Sequence, residues 1–228
     1  MAEEMKLDAC VLTIVRDGDD YLEACMRAVI PYVKRVRITV DSRSVDRSWG
    51  IANMLKEEFS NVETAVFVVK NPITDLVAMR NSQMNFPEKW GFVVDSDEYH
   101  PFVKEVHLGD ENAYAFNCYA VWSRNHIHKS SSKARIGRIF RNTQGLRWTG
   151  KFGKEALYNG DKKVFTKDTV ALSQKYIHFT HLKKDRWRNE LNQLRVADGK
   201  YLSKTPKCII NIIDAIHENM PNVPQFRV

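Results

Sequence analysis

Ala9-Cys10-Val11-Leu12-Thr13-Ile14-Val15 is an unbroken apolar run of strand length. Such a run suits a strand covered on both faces, as in parallel sheets. Asp17, Asp19 and Asp20 follow as cap and first-turn residues of a helix. Within that helix Leu22, Cys25, Met26, Val29 and Ile30 recur at three- and four-residue spacing, which makes one apolar face, and Pro31 stands near its end. The pattern then repeats. A strand over 36–40 runs into the polar loop Asp41-Ser42-Arg43-Ser44-Val45-Asp46-Arg47-Ser48, and a helix follows through Ile51, Leu55 and Phe59. A third strand is expected over 64–69, closed by Asn71-Pro72. Thr74-Asp75 caps a helix that carries Arg80-Asn81 and stops before Pro87. A fourth strand over 91–94 leads into Asp95-Ser96-Asp97-Glu98. Four strands with helices between them, in about 95 residues, indicate βαβ units, a parallel sheet and right-handed crossovers. Ligands bind such sheets beyond the carboxyl ends of the strands. The polar clusters Arg16-Asp17, 41–44 and 95–97 lie at those ends.

Beyond residue 105 the texture changes. Residues 114–122 alternate in size and polarity like an antiparallel strand. Residues 134–141 form a further strand with basic residues along it, and 176–181 a short one. Residues 186–202 are expected to form a polar helix and 207–217 a more apolar one. There is no internal repeat and no Ser/Gly-rich linker, so the two halves are expected to share one core.

The 228 residues, 43% hydrophobic and 28% charged, exclude a disordered chain. No apolar stretch reaches the roughly 18–20 residues that span a bilayer. Met1-Ala2-Glu3-Glu4 is acidic where a secretory signal is basic, and Cys10, Cys25, Cys118 and Cys208 form no CxxC pair. A cytoplasmic protein with reduced thiols is expected, in the host cytoplasm if the chain is phage-encoded.

The net charge of +7 is local. Arg124, Lys129, Lys133, Arg135, Arg138, Arg141, Arg147, Lys151 and Lys154 fall in one window with no Asp or Glu. The rest of the chain has 26 basic against 28 acidic residues. So concentrated a field attracts polyanions. Phe140, Trp148 and Phe152 lie in the same stretch and Trp122 just before it, and aromatics among basic residues suit a nucleic acid.

Asp95 and Asp97 are one residue apart, so in a continuing strand they face the same side. Two hard oxygen ligands at a strand end suit Mg²⁺ or Mn²⁺ over a diphosphate.

With these acids in place, residues 9–182 resemble a family 2 glycosyltransferase of the GT-A fold. Val15-Arg16-Asp17 with Tyr21-Leu22, the Asp41-Ser42-Arg43-Ser44-Val45-Asp46 turn, Ala78-Met79-Arg80-Asn81, Asp95-Ser96-Asp97 and Arg138-Ile139-Phe140-Arg141 occur in the family's order. Trp148-Thr149-Gly150-Lys151-Phe152-Gly153-Lys154-Glu155 follows, with Lys154 where the family usually has His. The resemblance implies an α/β fold with a Rossmann-like mixed sheet, a parallel N-terminal half with helices on both faces and an antiparallel acceptor-side half. It divides the chain into a catalytic domain over 1–182 (nucleotide-sugar half 1–105, acceptor half 106–182) and a helical extension over 183–228. By resemblance Val15, Arg16, Asp17, Asp41, Ser44, Arg80, Asp95 and Ser96 bind the donor. Asp95, Asp97 and one or both of His178 and His181 hold Mn²⁺ or Mg²⁺. Glu155 is the base, kept ionised by Lys151 and Lys154. Arg138, Arg141, Trp148 and Lys151 meet the acceptor.

The implied reaction is inverting transfer of a hexosyl or pentosyl group from a nucleoside diphosphate sugar, a UDP-sugar, to a hydroxyl. A hydroxymethylated base in phage DNA suits the basic window; an envelope polysaccharide or lipid-linked acceptor is the alternative. A non-catalytic nucleic-acid-binding protein would leave the strand-end acids unexplained. A nucleotidyltransferase would carry a Gly-rich first loop with a Lys, which Arg16-Asp17-Gly18-Asp19-Asp20 is not. The sequence contains no P-loop.

Overall fold

The computed structural model describes residues 6–71, 75–123, 126–129, 135–150 and 154–179. Its first half is β1 (Leu7–Val15), α1 (Leu22–Arg27), β2 (Val33–Asp41), α2 (Ser48–Glu58), β3 (Val62–Phe67), α3 (Asp75–Ser82) and β4 (Trp90–Val93). The four strands are parallel, in the order β3-β2-β1-β4. The chain therefore builds outward from β1 and then returns to its other side. In sheets of this kind ligands bind where the strand order reverses, here at the carboxyl ends of β1 and β4.

The apolar run of β1 is buried on both faces. Ala9, Val11 and Val15 join the larger core with Leu22, Met26, Ile51 and Leu55 of α1 and α2. Cys10 and Leu12 face a smaller cluster with Val93, Phe140, Trp148 and Leu157, against which Val77 of α3 packs. Helices thus cover both faces. Burying a side chain such as Val11 or Leu12 stabilises the fold by about 1.5–3 kcal/mol. The apolar face of α1 ends near Pro31, which lies in a 3₁₀ turn, Ile30–Tyr32, and has no N–H to continue a helix.

The second half comprises β5 (Glu98–Tyr99), β6 (Ala113–Ser123), β7 (His126–Lys129), β8 (Arg135–Arg141), β9 (Leu146–Thr149), β10 (Ala156–Asn159), β11 (Lys162–Lys163) and β12 (Val170–His178). β8 lies antiparallel beside β4 and extends the sheet through β6 and β12 to β5. Gly91 permits this pairing, because a Cβ there would lie 2.1 Å from the Phe140 ring. Antiparallel pairing holds for β4/β8, β8/β6, β6/β7 and β12/β5, whereas β12 runs parallel to β6. The separate sheet β11-β10-β9 lies in the chain between β8 and β12 and provides the crossover that a parallel pair needs. β12 begins at Val170 and ends at His178, earlier at both ends than the expected 176–181 strand.

One core joins the halves: Tyr114, Phe116, Ile139, Tyr176 and Phe179 belong to the cluster that contains Val11 and Leu55. Tyr21 stacks on Phe179 with centroids 5.2 Å apart. No helix among the described residues is long and apolar enough to cross a membrane. The helices expected over 186–202 and 207–217 lie outside the described residues, as does the whole 183–228 extension.

Candidate functional site at the carboxyl ends of β1, β2 and β4

Hydrogen bonds tie the loops after β1 and β2 together. The Asp17 amide donates to Ser44 Oγ (3.2 Å), and the Val45 amide donates to Asp17 Oδ1 (2.9 Å). The Gly18 amide donates to Ser48 Oγ (2.9 Å) and the Asp19 amide to Asp46 Oδ2 (2.8 Å). Asp17 adopts a left-handed conformation (φ 48°), which Asp tolerates better than most residues. A Cβ on Gly18 would sit 3.0 Å from Ser96 Oγ, so the β1 loop also packs against the acid turn after β4. Val15, Arg16, Asp17, Asp41, Ser44 and Ser96 are therefore brought to one rim. Arg43, which the sequence reading left without a role, closes on Asp41 through Nε (3.0 Å) and Nη2 (2.6 Å). Burial would raise the Asp41 carboxyl, but the Arg43 guanidinium and amide outweigh it and hold it below its ordinary value.

The acid turn splits its two aspartates between different partners. Asp95 Oδ1 accepts from Arg80 Nη2 and Oδ2 from Arg138 Nη2, each at 3.2 Å. Burial raises the Asp95 pKa, but Arg138 and Arg80 bring it below its ordinary value. Asp97 Oδ2 instead lies 3.4 Å from His178 Nε2. Its side chain is 4% exposed, against 29% for Asp95. The Phe179 amide donates to the Asp97 carbonyl (3.0 Å), which anchors the end of β12 to the turn. Burial by itself would lower the His178 pKa; hydrogen bonds to Asp97 and Cys118 push it up to about 10.

Behind Asp95 lies a buried layer. Glu98 is fully buried, accepts from Arg138, and also accepts from the Asp95 amide (3.2 Å). His100 Nε2 is 3.6 Å from Glu98 Oε2. Its ring stacks on Tyr176 (4.7 Å, 9°), and burial holds its pKa below the ordinary imidazole value. Arg138 reaches this layer from a bulge. Tyr114 pairs with Ile139 but Ala115 with Gly137, so Arg138 is the extra residue of β8 and its side chain is re-aimed.

Arg80 is held on its other side by β9. Its guanidinium lies 5.0 Å above the Trp148 ring, while Asn81 clamps the Trp148 backbone (Trp148 amide to Oδ1, 2.8 Å; Nδ2 to the carbonyl, 3.0 Å). Of the residues expected at the acceptor, Arg138 is thus held between Asp95 and Glu98, and Trp148 lies under Arg80. Arg141 lies at the opposite end of β8, over the Trp90 ring (4.9 Å). Glu155 is half-buried at the start of the β10 side of the β9/β10 hairpin, opposite Gly150. Lys151 and His181 lie outside the described residues, as do Arg124, Lys133 and Phe152.

Sequence reasoning missed Arg43, Glu98, Asn81 and His100. Glu98 had a signal in its position directly after Asp95-Ser96-Asp97. The inward turn of Arg138 had none, because a one-residue bulge leaves no periodic trace.

No protein-family model matches the chain, and no curated protein matches its sequence. Among solved structures it is similar to residues 1–349 of S. aureus TarS, at 12% identity over 95% of this chain and 72% of that one, with a TM-score of 0.46. It is similar to the inositol-1-phosphate CTP transferase of T. maritima at 9% identity over 87% of this chain and 100% of that one, TM-score 0.43. It is also similar to the mannosyltransferase PcManGT from Pyrobaculum calidifontis, solved with GDP-Man and Mn²⁺, at 11% identity over 60% of this chain and 45% of that one, TM-score 0.41.

Proposed function

We propose that the chain is a metal-dependent inverting glycosyltransferase that moves a hexosyl or pentosyl group from a nucleoside diphosphate sugar, a UDP-sugar, to an acceptor hydroxyl. The observation that carries this reading is the split of the acid turn at the carboxyl end of β4: Asp97 beside His178, and Asp95 between two arginines.

The donor set fits a divalent cation. Asp97 and His178 offer a hard oxygen and an imidazole nitrogen 3.4 Å apart, near enough to turn onto one ion once the imidazole gives up its proton. Among the described residues no three His, Cys, Asp or Glu form a cluster that could hold a metal. Asp97 and His178 are therefore the proposed protein ligands, and Mg²⁺ or Mn²⁺ commonly takes its remaining ligands from phosphate oxygens and water. Asp95, with both oxygens on arginines, is assigned to holding those cations instead of the metal. A divalent ion held there supplies charge neutralisation for a departing diphosphate.

The chain's own residues do the rest. Arg80, backed by Trp148, offers N–H donors to the diphosphate where charge builds up as the glycosidic bond breaks. Arg16, Asp17, Asp41, Ser44 and Ser96 form the rim proposed for the nucleoside, with Arg43 added to them. Glu155 is the proposed base that takes the proton of the attacking hydroxyl. The proposed acceptor is a hydroxymethylated base in DNA, on the strength of the basic stretch 124–154.

The test is thermal unfolding with UDP, GDP and their sugars, with and without Mn²⁺. A ligand at 100 times its dissociation constant adds about 2.7 kcal/mol to the native state. UDP with Mn²⁺ is expected to raise the transition, and Asp97→Asn to abolish that rise while DNA retention persists. If no nucleoside diphosphate raises it, the reading fails.

A further inference from the structure

The most heavily buried charge in the site belongs to Glu98, a residue that the proposed chemistry does not use. Glu98 is fully buried, and an isolated carboxylate in that environment would be strongly unfavourable. It is stabilised because Arg138 donates to it and the Asp95 amide donates to its other oxygen. The same Arg138 Nη2 reaches Asp95 Oδ2. One guanidinium therefore bridges a buried acid and a half-open one, and it reaches both because the β8 bulge falls at this residue. Glu98 is further fixed by the turn, since its own amide donates to the Asp95 carbonyl (2.9 Å). His100 and Tyr176 wall off this side of the layer.

We propose that Glu98 and Arg138 are positioning residues of the site: they hold the Asp95 carboxylate across two arginines, so that Arg80 faces the diphosphate and Asp97 with His178 is left to the cation. The role in transfer rests on the function proposed above; the mechanical coupling from Glu98 through Arg138 and Asp95 to Arg80 does not. Without Glu98, Arg138 has Asp95 as its only carboxylate and draws it inward. Arg80 then loses the partner that aims it.

The experiment compares wild type, Glu98→Gln and the double variant Glu98→Gln/Arg138→Met, which removes both members of the buried pair and guards against a simple folding failure. Each is measured by thermal unfolding, by calorimetric titration with Mn²⁺ alone and with UDP plus Mn²⁺, and by the Nε–Hε signals of the arginines in ¹⁵N-correlated NMR. Glu98→Gln is expected to weaken UDP·Mn²⁺ binding about tenfold or more, as losing a supporting partner commonly does. Binding of Mn²⁺ alone is expected to stay as in wild type. The Arg80 signal is expected to shift or broaden in both variants, although its partners are Asp95 and the Trp148 ring and not Glu98. A lowered transition with UDP·Mn²⁺ affinity and the Arg80 signal both unchanged overturns the proposal, because it leaves the pair with a stabilising role alone. If wild type takes up no nucleoside diphosphate, the transfer reading falls separately. In that case a displaced Arg80 signal still supports the positioning role and an undisturbed one overturns it.

Discussion

Arg138 and Arg141 lie on one strand, three residues apart, at opposite ends of the β4/β8 pair, and they meet opposite physics. At the carboxyl end of β4 Arg138 lies among Asp95, Glu98 and the Tyr176 ring, largely out of water. At the amino end Arg141 lies over Trp90, with its N–H groups on the carbonyls of Gly109 and Glu111 at 3.3–3.4 Å. The nearest acid there, Asp110, is fully exposed and 3.9 Å away. A cavity of about 590 Å³ beside Trp90 is lined among others by Lys6, Asp8, Lys89, Lys104 and His107. The buried charges around Arg138 are satisfied by one another; Arg141 is satisfied by backbone carbonyls and a ring.

The largest effect expected from breaking this asymmetry is that of Arg138→Met. It leaves Glu98 and Asp95 without their shared cation, and removing one partner of a buried pair costs about 3–5 kcal/mol. At about 2–4 °C per kcal/mol for a chain of this size, the midpoint of thermal unfolding should fall by about 10 °C. A change of only a degree or two would mean that Glu98 finds another partner, and that the carboxyl end of β4 is no different from its amino end.

Which parts of this were legible depended on the length of the pattern. β1, β2 and β4 were readable because a buried parallel strand is a continuous apolar run, and their polar ends followed directly. Asp41, Asp95 and Asp97 were legible for that reason. β9, β10 and β11 were not, because strands of two to four residues with charges among them show no period. The parallel course of β12 was hidden as well, since direction is set by the crossover before it and not by its own residues. Arg138 was legible as basic but not as buried. The bulge also lets Ile136 and Ile139 share the larger core at an odd spacing that alternation forbids.

Midway between the two arginines, Gly91 sets how closely β4 and β8 approach. Gly91→Ala places a methyl 2.1 Å from Phe140, a ring that is itself fully buried. Overpacking of this kind costs about 1–3 kcal/mol. Phe140→Leu in the same chain should recover part of it, and denaturant unfolding of the single and double variants measures the coupling. Additive losses would show that the contact does not govern the pairing.

The carboxyl end should also answer to pH. The folded His178 pKa of about 10 exceeds its unfolded value near 6.5. Its contribution is therefore fully present below pH 6.5 and is lost as pH rises through about 10. Metal-free protein should lose stability across that window, and His178→Gln should flatten the loss. An unchanged slope would detach His178 from Asp97.

The smallest expected effect belongs to the amino end. Arg141→Met removes a guanidinium that has no buried carboxylate to strand and leaves the apolar part of its contact with Trp90 in place. An exposed ion pair is worth about 0–1 kcal/mol, and a cation over a ring near the surface about 0.5–1. The loss should be about 1 kcal/mol or less and should shrink further in high salt, which screens exposed charges far more than buried ones. Arg138→Met measured in the same salt series should keep most of its loss. If the two arginines respond alike to salt, burial is not what separates the ends of the strand, and the rim owes its chemistry to something other than dry, paired charge.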